Sequence, residues 1–177
     1  FWPGRQGRLI VGIQRGSELE ICGFRFMGNQ FEADPTLRFT ALGATARTRL
    51  FSRDGRVFVG LLNRNQAAEL DLVQNKMGAS VTLQLPFQPD QIQLHAPSAT
   101  WWVGERGQPN FATFDLDGRL QNQLQVPFQQ NYSRYVFHVA SPNLIYVLGA
   151  NSGSNLLKRT HISGLSVEIA DQLTIDR

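Results

Sequence analysis

The feature that most constrains this chain is an internal echo. The hexapeptides RLIVGI (8–13), RVFVGL (56–61), TWWVGE (100–105) and LIYVLG (144–149) share one pattern of apolar and small residues. Their aligned valines are Val11, Val59, Val103 and Val147, spaced by 48, 44 and 44 residues. A self-similarity of about 44 residues means one supersecondary unit stacked on copies of itself, and it excludes folds assembled from unlike elements.

The unit reads as β-structure. After each hexapeptide and a polar loop come LEI (19–21), LDL (70–72), FDL (114–116) and, less regularly, THI (160–162). Alternation over so few positions has the period of a strand rather than of a helix. A third strand is predicted over 36–39, 81–85, 120–126 and 165–169, and a fourth runs between repeats over 47–51, 91–95 and 134–139. Asp54-Gly55 and Asp117-Gly118 supply hairpin dipeptides that tolerate positive φ, while Pro86 and Pro127 end the third strand by removing a donor. The stretch 66–74 is compatible with a helix, but it aligns with the strand ending in FDL, so no helix is needed.

Four-stranded antiparallel units at this period predict an all-β chain, a β-propeller or propeller segment of about four blades, over 8–46, 47–90, 91–133 and 134–177 of one domain spanning 1–177. The chain resembles the β-propeller repeat superfamily, and its third repeat, WWVGERGQPNFATFDLDGRL (101–120), looks like an NHL-type or related blade. That pattern is shared by families of unrelated function, so the resemblance implies a fold and no substrate. The four aligned valines are expected to be buried equivalently.

The chain opens on the second strand of its first blade. Either 172–177 begins the missing inner strand, or the chain belongs to a larger propeller whose other blades come from further chain or another subunit. The first residue, Phe1, favours the larger assembly, in a bacterial or multidomain setting.

With 42% hydrophobic and 18% charged residues the chain excludes intrinsic disorder, and no apolar run reaches the length of a membrane span. Cys22, the one cysteine, excludes an intrachain disulfide and leaves the compartment open.

Chemistry is sparse. No Gly-x-Ser-x-Gly elbow, phosphate loop or recurring carboxylate pair occurs, so no catalytic residue and no cofactor is assigned. Asn151-Ser-Gly-Ser-Asn155 reads as a turn, and Asp115 with Asp117 as strand and turn residues rather than a calcium loop. His95 and His138 fall at equivalent places on inner strands and are candidates to face the channel. Phe51 at the same place argues for packing, and no metal site is assigned. Trp101 and Trp102 point to opposite faces, each into a core.

What remains is a distribution. All but two of the basic residues, Lys76 and Lys158, are arginine. Antiparallel alternation sends Arg15, Arg47, Arg64, Arg106 and Arg134 to one rim, where planar guanidinium groups suit a protein interface. The reading is a non-catalytic binding or scaffolding module with a protein partner. A carbohydrate or other small ligand, or a propeller-type hydrolase or lyase, stands as the alternative. A net charge of +3 is too weak for nucleic acid.

Overall fold

The computed structural model describes residues 8–42, 49–54, 56–61 and 64–176. These form fifteen strands in four antiparallel sheets, with each strand paired to its sequence neighbour. The first sheet holds β1 (Arg8–Arg15), β2 (Glu18–Met27) and β3 (Gln30–Leu42). The second holds β4 (Arg49–Arg53), β5 (Arg56–Leu61), β6 (Gln66–Asp71) and β7 (Lys76–Thr82). The third holds β8 (Pro89–His95), β9 (Thr100–Glu105), β10 (Asn110–Phe114) and β11 (Leu120–Gln125). The fourth holds β12 (Arg134–Ser141), β13 (Leu144–Ala150), β14 (Ser154–Ser163) and β15 (Ser166–Asp176). The second, third and fourth hexapeptides are the second strands of their sheets, whereas RLIVGI lies in β1, the first described strand of its own. The first blade accordingly counts three strands among the described residues rather than four.

Turn chemistry places these strands as expected. Asp54 adopts φ 50° between β4 and β5, and Gly118 adopts φ 81° before β11. The segment 66–74 contains β6 and no helix. β7 starts five residues earlier than the predicted 81–85, because Asn75 at φ 52° closes the turn and pairing resumes at once between Asp71 and Lys76.

Of the two ways to complete the first blade, the less favoured, an inner strand begun by 172–177, does not occur among the described residues. Residues 172–176 continue β15, the outer strand of the fourth sheet, with Gln172 opposite Lys158 and Ile175 opposite Asn155.

The chain divides after Thr82 into two compact units of two sheets each. In the first unit Ile10, Leu19, Ile21 and Leu37 form one core with Val57, Val59, Leu61 and Leu70. In the second, Trp102, Phe111, Leu124 and Val126 pack with Phe137, Val139, Ile145 and Val147. The aligned valines are not all equivalent. Val59, Val103 and Val147 are fully buried, whereas Val11 is half-buried. On β1 the core side is taken by Ile10, and Val11 lies on the opposite face beside exposed Ile13. That face is polar across the sheet, where Glu20 receives both Arg15, at 3.1 Å, and Arg38, at 2.5 Å.

The first sheet bends at a bulge. Pairing shifts between Cys22 and Gly23, and Leu37 packs where a Gly23 Cβ would stand, 2.5 Å from its Cδ2. Asp34 sits buried in this bulge, accepting hydrogen bonds from the Thr36 hydroxyl at 2.5 Å and backbone at 3.1 Å, and from Arg25 at 2.8 Å. Those bonds, with Thr36 foremost, hold its pKa at about 2.

Candidate functional site

Two places offer recognition chemistry. The first is the set of arginines in the loops after the second strands and at the connections between blades. Arg15 ends β1 and is engaged by Glu20. Arg64 lies in the loop between β5 and β6, and Arg106 in the turn between β9 and β10, where its backbone N–H donates to Gln88. Arg134 opens β12 opposite Ala150, the last residue of β13, which puts it at the same end of its sheet as the turn after β13. Arg47 lies outside the described residues. Arg64, Arg106 and Arg134 are exposed and carry no ion pair among the described residues, whereas Arg25, Arg38, Arg53 and Arg56 each hold a carboxylate. Asn151, at the same end, is committed to structure: its side chain accepts the Ser133 N–H at 2.7 Å and donates to the Asn131 carbonyl.

The histidines behave differently from one another. Pairing sets His138 opposite Tyr146, level with Gln93 opposite Trp102 and Phe51 opposite Phe58. His95, opposite Thr100, lies two residues further along its strand. The offset arises because the 3₁₀ turn Ala96–Ser98 lengthens the connection from β8 to β9. His95 is buried and His138 is exposed. Ser98 Oγ lies 2.7 Å from His95 Nδ1, and the ring also bonds the Ala140 backbone. Burial depresses the His95 pKa, and nearby His138 depresses it further. The contact with Ala140 ties the ring of β8 to β12, and the contact with Ser98 ties it to the corner before β9.

The second place is a cleft of about 230 Å³ within the second unit, between the third and fourth sheets. Trp102 on β9, Thr113 on β10 and Asn122 on β11 stand side by side in one cross-strand row. All three line it, with Ser98 and Thr100 from the corner before β9 and Asn143 from the turn after β12. Leu124 and Ile162 give apolar walls, and no lining side chain is ionisable. Trp102 Nε1 and Thr113 Oγ1 have no hydrogen-bond partner, although their residues are only 3% and 2% exposed. Thr160 Oγ1 on β14, two residues from Ile162 and on the same face, is likewise unpartnered. Such groups typically cost about 1–3 kcal/mol each when left unpaired.

Both tryptophans are buried, as their alternation implies. Sequence reasoning missed the cleft, because threonine and asparagine at strand positions look like ordinary surface residues until pairing aligns them. It also missed Lys158. That lysine is buried among the second-unit core, its Nζ donates to the Pro127 carbonyl and lies 4.5 Å from the centre of the Phe128 ring, and burial lowers its pKa. The signal was present in the strand phase, since Lys158, Thr160 and Ile162 alternate in step and all are buried. Missed too was the exposed tip joining β2 and β3, where the Phe26 and Phe31 rings pack at 5.1 Å, tilted by 55°, beside Met27.

Asp115 accepts the Asp117 and Arg119 backbone N–H groups and so forms a turn. Among the described residues no three of His, Cys, Asp and Glu gather as a metal site, and no helix is long and apolar enough to cross a membrane.

No known protein family matches the sequence, and no curated protein does. Among solved structures the chain is similar to a candidate 6-phosphogluconolactonase from Bacteroides uniformis, at 10% identity and TM-score 0.56 over 91% of this chain and 55% of that one. A second candidate 6-phosphogluconolactonase, from Bacteroides fragilis, is 9% identical over 92% of this chain and 56% of that one, at TM-score 0.54. The hydrazine synthase of Kuenenia stuttgartiensis is 12% identical over 91% and 47%, at TM-score 0.51. The chain thus spans about half the length of these three solved structures. The likeness shows the fold, and the sheets are the blades of a β-propeller.

Proposed function

We propose that the chain contributes blades to a propeller that acts as a non-catalytic binding module and engages a protein partner through the rim formed by the loops that follow its second strands and those that join one blade to the next. The observation that carries this reading is the contrast among the arginines. Arg64, Arg106 and Arg134 keep their side chains exposed and without an ion pair among the described residues, while Arg25, Arg38, Arg53 and Arg56 are spent on neighbouring carboxylates. An unpaired, planar, weakly hydrated cation is the group that gains most from an acidic or polar protein surface.

The half-buried faces of the first and fourth sheets support placing these blades within a larger ring. Val11 and Tyr146 are each half-buried on the strands where their counterparts Val59 and Trp102 are buried. Further blades of the same repeat would cover them.

The test is capture with the whole chain as bait, comparing the native protein with a variant carrying alanine for Arg15, Arg47, Arg64, Arg106 and Arg134. A partner retained by the native bait, lost from the variant and weakened by salt supports the reading. Equal capture by a folded variant refutes it.

A further inference from the structure

We propose that the cleft between the third and fourth sheets binds a neutral polyhydroxylated ring, the size of one monosaccharide. The inference rests on the lining of the cleft and is independent of the arginines.

Size sets the first limit. At about 230 Å³ the cleft falls below the roughly 300 Å³ at which sites for drug-sized molecules begin, so it accommodates one ring and not a chain of them.

Charge sets the second. Every polar group on the wall is neutral: hydroxyls from Ser98, Thr100 and Thr113, amides from Gln121, Asn122 and Asn143, and the indole of Trp102. A carboxylate or phosphate would enter without a cation to receive it, and an ammonium without an anion. The amides and hydroxyls each donate and accept. Their natural complement is a ligand whose own polar atoms do both, which describes a ring of hydroxyl groups.

Unspent hydrogen bonding sets the third. Trp102 Nε1 and Thr113 Oγ1 are buried without partners, side by side on facing positions of β9 and β10. Native interiors rarely leave such groups unpaired unless something outside the chain completes them. Exposed Gln121 and Asn143 stand at the rim of the same cleft, while Leu124 and Ile162 offer the apolar surface on which the C–H faces of a sugar ring pack.

The experiment follows the indole N–H resonance of Trp102 in ¹⁵N-labelled full chain, assigned by its disappearance in Trp102→Phe. The probes are D-glucose, D-galactose, D-mannose and N-acetyl-D-glucosamine, with D-gluconate as the charged comparison, each to about 50 mM, a range that detects millimolar binding. We expect saturable shifts with at least one neutral sugar, and about tenfold weaker binding in Thr113→Val and in Asn143→Ala. Thr113→Val keeps the buried shape, and Asn143→Ala changes only an exposed turn, so at least one variant stays folded. Three results would each overturn the proposal: no saturable shift with any neutral sugar, gluconate binding as tightly as the best of them, or affinity unchanged in both variants.

Discussion

The Gln91 side-chain oxygen accepts the backbone N–H of Phe137 at 3.1 Å, so a residue of β8 completes a hydrogen bond that no ladder partner of β12 supplies. Gln93 does the same for Val139 at 3.3 Å. Both glutamines belong to an inner strand whose own partner is β9, leaving their side chains free to reach the neighbouring blade. Part of the glutamine content of this chain therefore has a structural use: it seals the backbone of the next inner strand.

Replacing either glutamine by leucine keeps the size and removes the acceptor. The expected cost is about 1 kcal/mol each, in the range for a neutral hydrogen bond whose partner stays part-buried. Amide exchange separates this from a loss of packing. Phe137 should exchange faster in Gln91→Leu and Val139 faster in Gln93→Leu, each leaving the other protected; uniform acceleration of both would show that the bonds are not individually responsible.

Acid should act on the first unit through Asp34. Its folded pKa of about 2 lies below the roughly 3.9 of an unfolded aspartate. A depressed carboxylate stabilises fully above the unfolded value and loses that contribution as pH falls through the folded one. Stability measured by urea unfolding should therefore decline between about pH 4 and pH 2, and Thr36→Val, which removes the largest cause of the depression, should flatten this decline. An equal slope in native and Thr36→Val proteins would disprove the assignment.

Gly23 should reject a side chain. A Cβ there would stand 2.5 Å from Leu37 Cδ2 and 2.7 Å from Leu37 Cβ, and the latter is too near the backbone to swing away. Gly23→Ala should destabilise by about 1–3 kcal/mol, as overpacking generally does. Pairing it with Leu37→Ala should recover part of the loss relative to the sum of the single changes, and strict additivity would mean that the two residues do not compete for the space.

The repeat made the blades legible because Val59, Val103 and Val147 each recur one period apart in strands with the same phase. It could not show that Val11 differs, since burial depends on what lies against a face and the local pattern is the same. Side-chain period likewise placed Trp101 and Trp102 correctly. The equivalence of His95 and His138 failed for a different reason: counting residues back from a valine assumes corners of equal length, and the 3₁₀ turn Ala96–Ser98 breaks that assumption. The row formed by Trp102, Thr113 and Asn122 crosses three strands, and only the register brings its members together.

Lys158 and Lys76 are the two lysines, and the fold gives them opposite environments. Lys76 opens β7 and is exposed, whereas Lys158 is 2% exposed, with the Phe128 ring over its ammonium and the Pro127 carbonyl as acceptor. Two effects on amine reactivity oppose each other at Lys158. Burial lowers its pKa and raises the fraction of free amine, but it also closes the approach of any reagent. With so little surface left, access decides. Brief treatment of the native chain with an amine-acetylating reagent should modify Lys76 and spare Lys158 by at least about tenfold, while the urea-unfolded chain should react at both, as its opening equilibrium implies. Phe128→Ala uncovers the amine without touching the strand that carries it, and should raise Lys158 labelling while Lys76 stays unchanged. Equal labelling of the two lysines in the native protein would place Lys158 at the surface and remove its anchoring of the segment between β11 and β12.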